Sequence, residues 1–468
     1  MKKYKLQFWL AGCLSFLLVS CFGDNDTELN DWELSNCQIA SFALANDSIP
    51  GLADVKFTID QVNGLIYNKD SMPYGTVINE KVVCTINYEV PPSMVEILQV
   101  AIGDTHYDNW NGTDSVDFSD VVRFTIYSYN GKASKVYESK LNVHRQNPDS
   151  MTWTLTADKL LGKYYSEQKV ILRNGYYLMY VKTTTGYELY RSPETDLKTW
   201  TSVPLTGLLK NSPLLAPRAV YETTLRLDQM AEYENILYLP DSDGVLYCSG
   251  NGRDWTVVEK APFVKSLLGV LDATTQLKHP SALTAIILNV TDGGEFLFAS
   301  MDTAMNWKTG VAVPPEFPVF GFGTVGYESM YYQHLVAVAG VGMFGQLSNA
   351  AWETMDGLSW VRLTSDSTFE KREGAMVTKY DDKLFLIGGI NEMNKATSDI
   401  YRSENYGLTW SLADTLIILP ETYKARGYAS VVVDKDKFLH LFGGKENTDS
   451  PVLDQLWSGR LNRLGFKE

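Results

Sequence analysis

Short hydrophobic runs alternate with clusters of turn residues along almost the whole chain beyond residue 37. The runs are rich in β-branched and aromatic side chains, a composition that is typical of β-strands. Glycine, asparagine, aspartate and proline fill the gaps between the runs, where tight turns need positive or fixed φ angles. The pattern predicts an all-β protein.

A polar turn followed by a tryptophan recurs through the second part of the chain. In its clearest copy, Ser403 and Asn405 can bond the turn's own backbone, and Gly407 allows a positive φ. Trp410 then begins the next strand, and its ring can cover the turn. Related copies place a tryptophan every 50 to 55 residues: Trp200, Trp255, Trp307, Trp360 and Trp410.

Repeat units of this length are typical of a radial β-repeat. Residues 456–460 repeat the strand without a downstream tryptophan, which makes a sixth copy. Four strand-like runs occur in the fifth unit and three of them recur in the sixth, so each unit predicts one propeller blade. Residues 152–155 match the strand that the last unit lacks, and we expect Trp153 to lie beside Trp457 and close the ring. Alternatively, Trp153 belongs to the linker. The prediction is a six-bladed β-propeller over residues 151–468.

An earlier domain is predicted over residues 37–147. Its strand candidates are residues 37–45, 54–59, 81–88, 94–102, 121–129 and 135–144. Asn130-Gly131 separates the last two runs and predicts a hairpin turn. About 110 residues in six or seven strands favour a β-sandwich, and the polar joint at residues 146–150 marks its end.

Particular motifs resemble known repeat families. Residues 385–389 and 439–444 end in Gly-Gly and resemble kelch repeats, while residues 300–307 and 403–410 resemble degenerate Asp-boxes of sialidase-type propellers. Residues 116–126 resemble the Ig-like modules of Bacteroidota surface lipoproteins. The chain as a whole resembles an uncharacterised Bacteroidota lipoprotein family that joins an Ig-like N-terminal module to a kelch-like propeller. This resemblance implies a fold but no activity.

The N-terminus predicts export and lipid anchoring. Residues 1–20 combine a basic start with a short apolar run, which is typical of a signal peptide. Residues 18–21 resemble a bacterial lipobox, which implies diacylation at Cys21; an ordinary signal peptide is the alternative. Residues 21–36 form an acidic tether, and its residues 23–28 resemble the sequences that send Bacteroidota lipoproteins to the cell surface; a plain solvated linker is the alternative. We expect an outer-membrane protein at the surface, with the periplasmic face left open.

Composition excludes some classes of function. The formal net charge is −15, and an acidic chain repels the phosphates of nucleic acids. The five cysteines and five histidines match no metal or redox spacing, so we expect no metal and no cofactor. Whether Cys37 and Cys84 pair is left open by the sequence. We expect a monomer.

Candidate site residues come from a comparison with sialidases, which need arginines around a carboxylate together with a tyrosine and an acid. The chain lacks that family's early Arg-Ile-Pro motif. His279, His334 and His440 are single and unclustered, which favours core or surface roles. The residues that we expect near the propeller axis are Arg218, Tyr327, Glu328, Arg372, Arg426 and Tyr428.

Two functions remain open at this point. The aromatic and polar loops favour a non-enzymatic binding protein for a glycan or a protein, because rings stack on sugars and polar side chains bond hydroxyls. The alternative is a degenerate sialidase-like glycoside hydrolase with its site in the channel. A cluster of two or three arginines with a tyrosine and an acid in the channel would favour the enzyme.

Overall fold

The computed structural model describes residues 30–78, 81–100, 105–107, 109–208, 224–273, 280–289, 294–363 and 369–465. Strands dominate these ranges, and their helical segments are single 3₁₀ turns at Leu52–Asp54, Leu227–Gln229 and Asn462–Gly465. The all-β prediction is therefore confirmed. Within the described ranges, no helix has the length and apolar character needed to cross a membrane. The signal segment and Cys21 lie outside the described residues.

The chain divides into two compact units, Met1–Asn147 and Pro148–Glu468. The described part of the first unit contains eight strands. They are β1 (Ile39–Ala45), β2 (Phe57–Asp60), β3 (Leu65–Asn68), β4 (Val83–Tyr88), β5 (Met94–Gln99), β6 (Thr105–Tyr107), β7 (Val122–Tyr127) and β8 (Ser134–Lys140).

The described strands of the first unit form a six-stranded sheet and a two-stranded sheet. The larger sheet has the order β2-β3-β8-β7-β5-β6, and the smaller one pairs β1 with β4. The hairpin between β7 and β8 is confirmed, with Tyr127 opposite Ser134 and Gly131 at a φ of 68°. One hydrophobic core serves both sheets. Cys37 and Cys84 are buried in this core as free thiols, so they do not form a disulfide.

The second unit contains twenty-six strands in its described ranges. They are β9 (Met151–Ala157), β10 (Glu167–Arg173), β11 (Tyr176–Thr183), β12 (Gly186–Pro193), β13 (Thr201–Val203), β14 (Ala231–Tyr233), β15 (Ile236–Pro240), β16 (Leu246–Ser249), β17 (Thr256–Val257), β18 (Val264–Leu271), β19 (Ala282–Asn289), β20 (Glu295–Met301), β21 (Trp307–Ala312), β22 (Gly323–Glu328), β23 (Gln333–Val338), β24 (Ala351–Thr354), β25 (Val361–Arg362), β26 (Arg372–Glu373), β27 (Met376–Tyr380), β28 (Lys383–Ile387), β29 (Ile390–Asn391), β30 (Ile400–Ser403), β31 (Ser411–Leu412), β32 (Gly427–Val433), β33 (Leu439–Lys445) and β34 (Leu456–Leu461).

Most of these strands form antiparallel four-stranded sheets, of which the described residues make six. In chain order, sheet 1 is β10-β11-β12-β13, sheet 2 is β14-β15-β16-β17, and sheet 3 is β18-β19-β20-β21. Sheet 4 is β22-β23-β24-β25, sheet 5 is β27-β28-β30-β31, and sheet 6 is β32-β33-β34-β9. The short strands β26 and β29 pair with each other beside sheet 5.

Hydrophobic cores lie between neighbouring sheets and follow each other in a closed circle. Tyr180 of sheet 1 shares a core with Leu237 of sheet 2, and successive cores join sheets 2 and 3, 3 and 4, 4 and 5, and 5 and 6. A further core joins Phe442 of sheet 6 to Tyr177 of sheet 1. Each sheet therefore buries both faces, which explains the continuous apolar runs of its middle strands.

Sheet 6 takes its outermost strand from the start of the unit. Strand β9 pairs with β34 and places Trp153 opposite Gly459. A Cβ at Gly459 would lie 2.4 Å from the Trp153 ring, so the indole packs directly on backbone there. The predicted closure by residues 152–155 is confirmed. It joins the two ends of the unit in one sheet and leaves no open edge on β34.

The repeated turns share one hydrogen-bond pattern. In sheet 5, the Ser403 hydroxyl accepts from the N–H of Gly407 at 2.8 Å, and Asn405 Oδ1 accepts from the N–H of Thr409 at 2.9 Å. Trp410 then covers the turn and is 2% exposed. In sheet 4, Thr354 accepts from the N–H of Gly357 in the same way, at 2.8 Å. The recurring turn thus satisfies its own backbone and adds an aromatic ring to the core.

Candidate functional site

A cavity of about 720 Å³ lies where the first strands of the six sheets converge. Every sheet contributes residues to its lining from the first strand or from the segment just before it. Cavities of roughly 300–1,000 Å³ are typical of small-molecule sites. The size and the convergence make this cavity the candidate site of the protein.

Hydrogen bonds join neighbouring sheets around this cavity. The N–H of Gly374 in sheet 5 donates to the carbonyl of Gly321 before sheet 4 at 2.7 Å. The N–H of Tyr428 in sheet 6 donates to the carbonyl of Gly374 at 2.6 Å. Gln168 Nε2 of sheet 1 donates in turn to the carbonyl of Tyr428 at 3.2 Å.

The same pattern continues through sheets 1 to 4. Lys169 Nζ donates to the backbone carbonyl of Asp228 at 3.2 Å. The amide of Gln229 donates to the carbonyl of Val319 and accepts from the N–H of Leu267, both at 3.2 Å. Together with the bonds through Gly374 and Tyr428, these contacts run through all six sheets, and we call the set the axial belt.

Tyr428 reaches the cavity because two glycines leave room for its ring. A Cβ at Gly374 would lie 2.5 Å from the ring, and a Cβ at Gly321 would lie 2.9 Å from the phenolic oxygen. Tyr428 has a positive φ of 57°, which aims the residue away from the ordinary strand direction. Its hydroxyl donates to the carboxylate of Glu373.

The pKa of Tyr428 is well above its usual range. Burial is the main cause, and the negative charge of Glu373 together with the hydrogen bond to it adds to the effect. The phenol therefore keeps its proton at neutral pH and acts as a donor. Such a group can hold an acceptor or orient Glu373, whereas nucleophilic attack would need the phenolate.

Opposite charges meet on another wall of the cavity. Asp228 lines the cavity and is surrounded by protein. This burial raises the pKa of its carboxyl group, and the positive charges of Lys169 and Arg226 partly offset the rise. Burial likewise lowers the pKa of Lys169, against the effect of Asp228. The wall can therefore both donate to and accept from a polar ligand.

Tyr428 is the predicted site residue that lines this cavity. Arg218 lies outside the described residues. The structure does not bring Tyr327, Glu328, Arg372 or Arg426 to the cavity lining.

Arg372 is fully buried on β26, beside sheet 5. Its guanidinium group forms a bidentate pair with Asp399, at 2.7 and 3.1 Å, and donates to the carbonyl of Gly388 at 3.0 Å. The ring of Tyr401 packs on the same guanidinium group. This geometry argues against ligand contact by Arg372 and gives the side chain a role in holding the sheet together.

Arg426 has the equivalent position in sheet 6 and is also fully buried. It donates to the carbonyls of Lys424 and Gly443 and to Gln455 Oε1, each at 2.9 Å. Its guanidinium group lies 4.3 Å from the ring centre of Tyr423. Both arginines therefore bind the first carbonyl of a Gly-Gly pair, which explains their matching places in the sequence.

Tyr327 and Glu328 lie at the far end of β22. Tyr327 stacks between His334 and Tyr406, with ring centres 4.4 and 4.1 Å away. Glu328 is exposed at the end of the strand, about 13 Å along the strand from Thr324 in the cavity lining. Neither residue can contact a ligand held by Tyr428.

The charged residues of the cavity were missed by the sequence reasoning. Glu373 stands directly between Arg372 and Gly374, so the same strand start that suggested the arginine contained the acid as well. Asp228, Lys169 and Arg226 stand in no recurring motif. Arg226 and Asp228 are neighbours in one segment, and only the packing of sheet 1 beside sheet 2 brings Lys169 to them.

Comparisons with known proteins agree with the two-unit architecture. The model of the DUF6242 beta propeller domain matches residues 147–468, and the model of the DUF6242 N-terminal domain, a domain of unknown function, matches residues 34–141. No curated protein matches the chain. The solved structure of YjhT is 15% identical over 63% of this chain and 94% of its own, with a TM-score of 0.43. The predicted β-propeller is confirmed, and the protein belongs to the DUF6242 family.

Proposed function

We propose that the protein is a surface-anchored lipoprotein that binds a small polar ligand, of carbohydrate chemistry, in the central cavity. In this proposal the six sheets are the six blades of the propeller, kelch-like in sheets 5 and 6, with Asp-box-like turns on the outer strands. The first unit serves as an Ig-like spacer above the tether and the lipid at Cys21. A protein bound at the propeller loops is the second ligand class that this architecture suits.

The observation that supports a carbohydrate is the chemistry of the cavity wall. Protonated Tyr428, the carboxyl groups of Glu373 and Asp228, and the ammonium group of Lys169 supply donors and acceptors within one enclosed space. Sugar hydroxyls both donate and accept, so they match a wall of mixed polarity better than a wall of one charge.

A second candidate is a degenerate glycoside hydrolase. It is favoured by one observation, the hydrogen bond between Tyr428 and Glu373 in the same cavity as Asp228. Against it, Arg372 and Arg426 are buried in their own sheets, and the phenol of Tyr428 keeps its proton. The binding role accounts for these features with fewer assumptions.

A glycan-array screen of the full chain in detergent tests the proposal, with aryl-glycoside turnover measured on the same preparation. We expect binding of one sugar class without turnover. Asp228→Asn and Tyr428→Phe should each weaken binding about threefold to tenfold, because each removes one polar contact. Glu328→Gln, at an exposed site outside the cavity, is the matched control and should bind normally. Turnover that falls in Glu373→Gln would favour the hydrolase, and silence in both assays would favour a protein partner.

The anchor is tested separately. Metabolic labelling with a fatty acid in a bacterial host should mark the wild type and fail in Cys21→Ala. Protease treatment of intact cells then distinguishes the surface from the periplasmic face. Degradation of the protein by the protease only after the cells have been lysed would contradict the surface location.

A further inference from the structure

A second cluster of polar side chains lies away from the central cavity, at the hairpin between β22 and β23. Ser329 is in the turn, and His334 follows on β23. The distance from Ser329 Oγ to His334 Nε2 is 2.8 Å, and His334 Nδ1 lies 2.8 Å from Glu353 Oε1. A hydroxyl, an imidazole and a carboxylate are thus linked in series.

From this geometry we propose that Ser329, His334 and Glu353 form a nucleophilic triad that hydrolyses small carboxylic esters. An ionised carboxylate can only accept, so Glu353 accepts a hydrogen bond from Nδ1–H and leaves Nε2 free to accept from Ser329. This is the tautomer in which an imidazole can act as the base for a serine hydroxyl. The inference does not depend on a ligand in the central cavity.

The imidazole is held in place from two sides. The ring of Tyr327 stacks on it at 4.4 Å with an interplanar angle of 8°, and the Tyr327 hydroxyl donates to Glu353. Tyr406 of sheet 5 packs on the other face of Tyr327. Glu353 is therefore a positioning residue, itself oriented by Tyr327, and the base needs no rearrangement before reaction.

The serine is accessible from solvent. Ser329 is half-buried, and the neighbouring Met330 is 74% exposed. The N–H of Tyr332 donates to Ser329 Oγ at 3.3 Å, which fixes the position of the nucleophilic oxygen. The Tyr332 carbonyl lies 3.1 Å from the same hydroxyl and competes with His334 Nε2 for its one proton.

The reaction balances with water as the only co-reactant. Ser329 Oγ bonds to the ester carbonyl carbon while its proton passes to His334 Nε2. The ester C–O bond breaks, and the leaving alcohol takes that proton. Water then attacks the acyl-serine, gives its proton to His334 and releases the acid, and the serine regains its proton.

The chain contains a matched internal control. His440 lies 3.0 Å from Asp434 and 2.8 Å from Ser458, so the same connectivity recurs in sheet 6. Ser458 is only 7% exposed and His440 only 2% exposed. A reagent that requires an accessible serine should therefore distinguish Ser329 from Ser458.

The test is covalent labelling of the full chain with a fluorophosphonate probe, followed by peptide mapping, and turnover of p-nitrophenyl acetate and butyrate. We expect the label on Ser329 and not on Ser458. Ser329→Ala and His334→Gln should reduce turnover by about 100-fold or more, the usual contribution of a nucleophile and its base. Ser119→Ala, in an exposed turn of the first unit, should leave turnover unchanged.

The variant Glu353→Gln tests whether Glu353 positions the imidazole of His334 or only stabilises the fold. It should lower the kcat of ester turnover while KM and the melting temperature stay close to those of the wild type, whereas loss of a purely structural residue would lower the melting temperature. Absence of label on Ser329 in the folded wild type would overturn the proposal, even if a variant failed to fold. So would ester turnover that survives in Ser329→Ala.

Discussion

The buried pair between Arg372 and Asp399 gives the sharpest test of how sheet 5 is held together. Replacing Arg372 by methionine removes five hydrogen bonds from a side chain that is fully buried. It also leaves Asp399, which is 25% exposed, without its cation. Breaking a buried pair on one side costs about 3–5 kcal/mol. At about 2 °C per kcal/mol for a unit of this size, the melting temperature should fall by about 6–10 °C.

The matched variant is Arg426→Met in sheet 6. Arg426 is equally buried, but its three acceptors are two carbonyls and the amide of Gln455, so its loss leaves no unpaired anion. We therefore expect a smaller fall than for Arg372→Met. The double variant Arg372→Met/Asp399→Asn should recover part of the loss, because it removes the stranded charge.

Thermal unfolding followed by circular dichroism measures all of these variants, with the glycan screen repeated on each. A melting temperature within 2 °C of the wild type in Arg372→Met would refute the reasoning, since about 1 kcal/mol is too little for a buried ion pair. If Arg372→Met lost glycan binding while its melting temperature stayed unchanged, Arg372 would have to contact the ligand.

Two further predictions concern the axis and a buried histidine. Gly374→Ala should destabilise the protein and weaken ligand binding, because its φ is +62° and the new Cβ would lie 2.5 Å from the Tyr428 ring; wild-type melting and affinity would contradict this. Burial lowers the pKa of His440, although the hydrogen bond to Asp434 and the charge of Asp434 oppose this effect. Below about pH 6.5 the imidazole is therefore protonated in the unfolded chain but still neutral in the folded protein, so the free energy of unfolding should fall as the pH falls. Compared by urea unfolding between pH 7.5 and 5, His440→Gln should show a smaller fall than the wild type, and equal slopes would assign the dependence to other groups.

Local patterns predicted the repeated parts of the fold well. The hydroxyl turns, the tryptophans after them and the closing strand at Trp153 each depend on residues close together in sequence or on one missing strand. The two arginines precede the inner strands β27 and β32, yet their side chains bond to carbonyls of their own part of the circle and not to the cavity. Sequence spacing shows that a residue is near the axis but not which side of the strand it occupies.

The two polar sites could not be read from the sequence for another reason. Asp228 and Lys169 are far apart in the chain and meet only because sheets 1 and 2 are neighbours in the circle. Ser329, His334 and Glu353 meet through strand registers, with β24 beside β23, that no local motif encodes. The sequence around a single histidine in a strand does not indicate which side chains will form hydrogen bonds with it in the folded protein.

The axial belt has a consequence for how the protein moves. Because its bonds run through all six sheets, separating two neighbouring sheets at the axis means breaking one of its bonds while the cores on both sides are still packed. The N–H groups of Gly374 and Tyr428 should therefore be among the last to exchange with deuterated solvent. A ligand of the proposed kind would meet a cavity wall whose conformation is already fixed. The cavity would therefore select ligands by their shape, and the ligand would make any conformational change that binding requires.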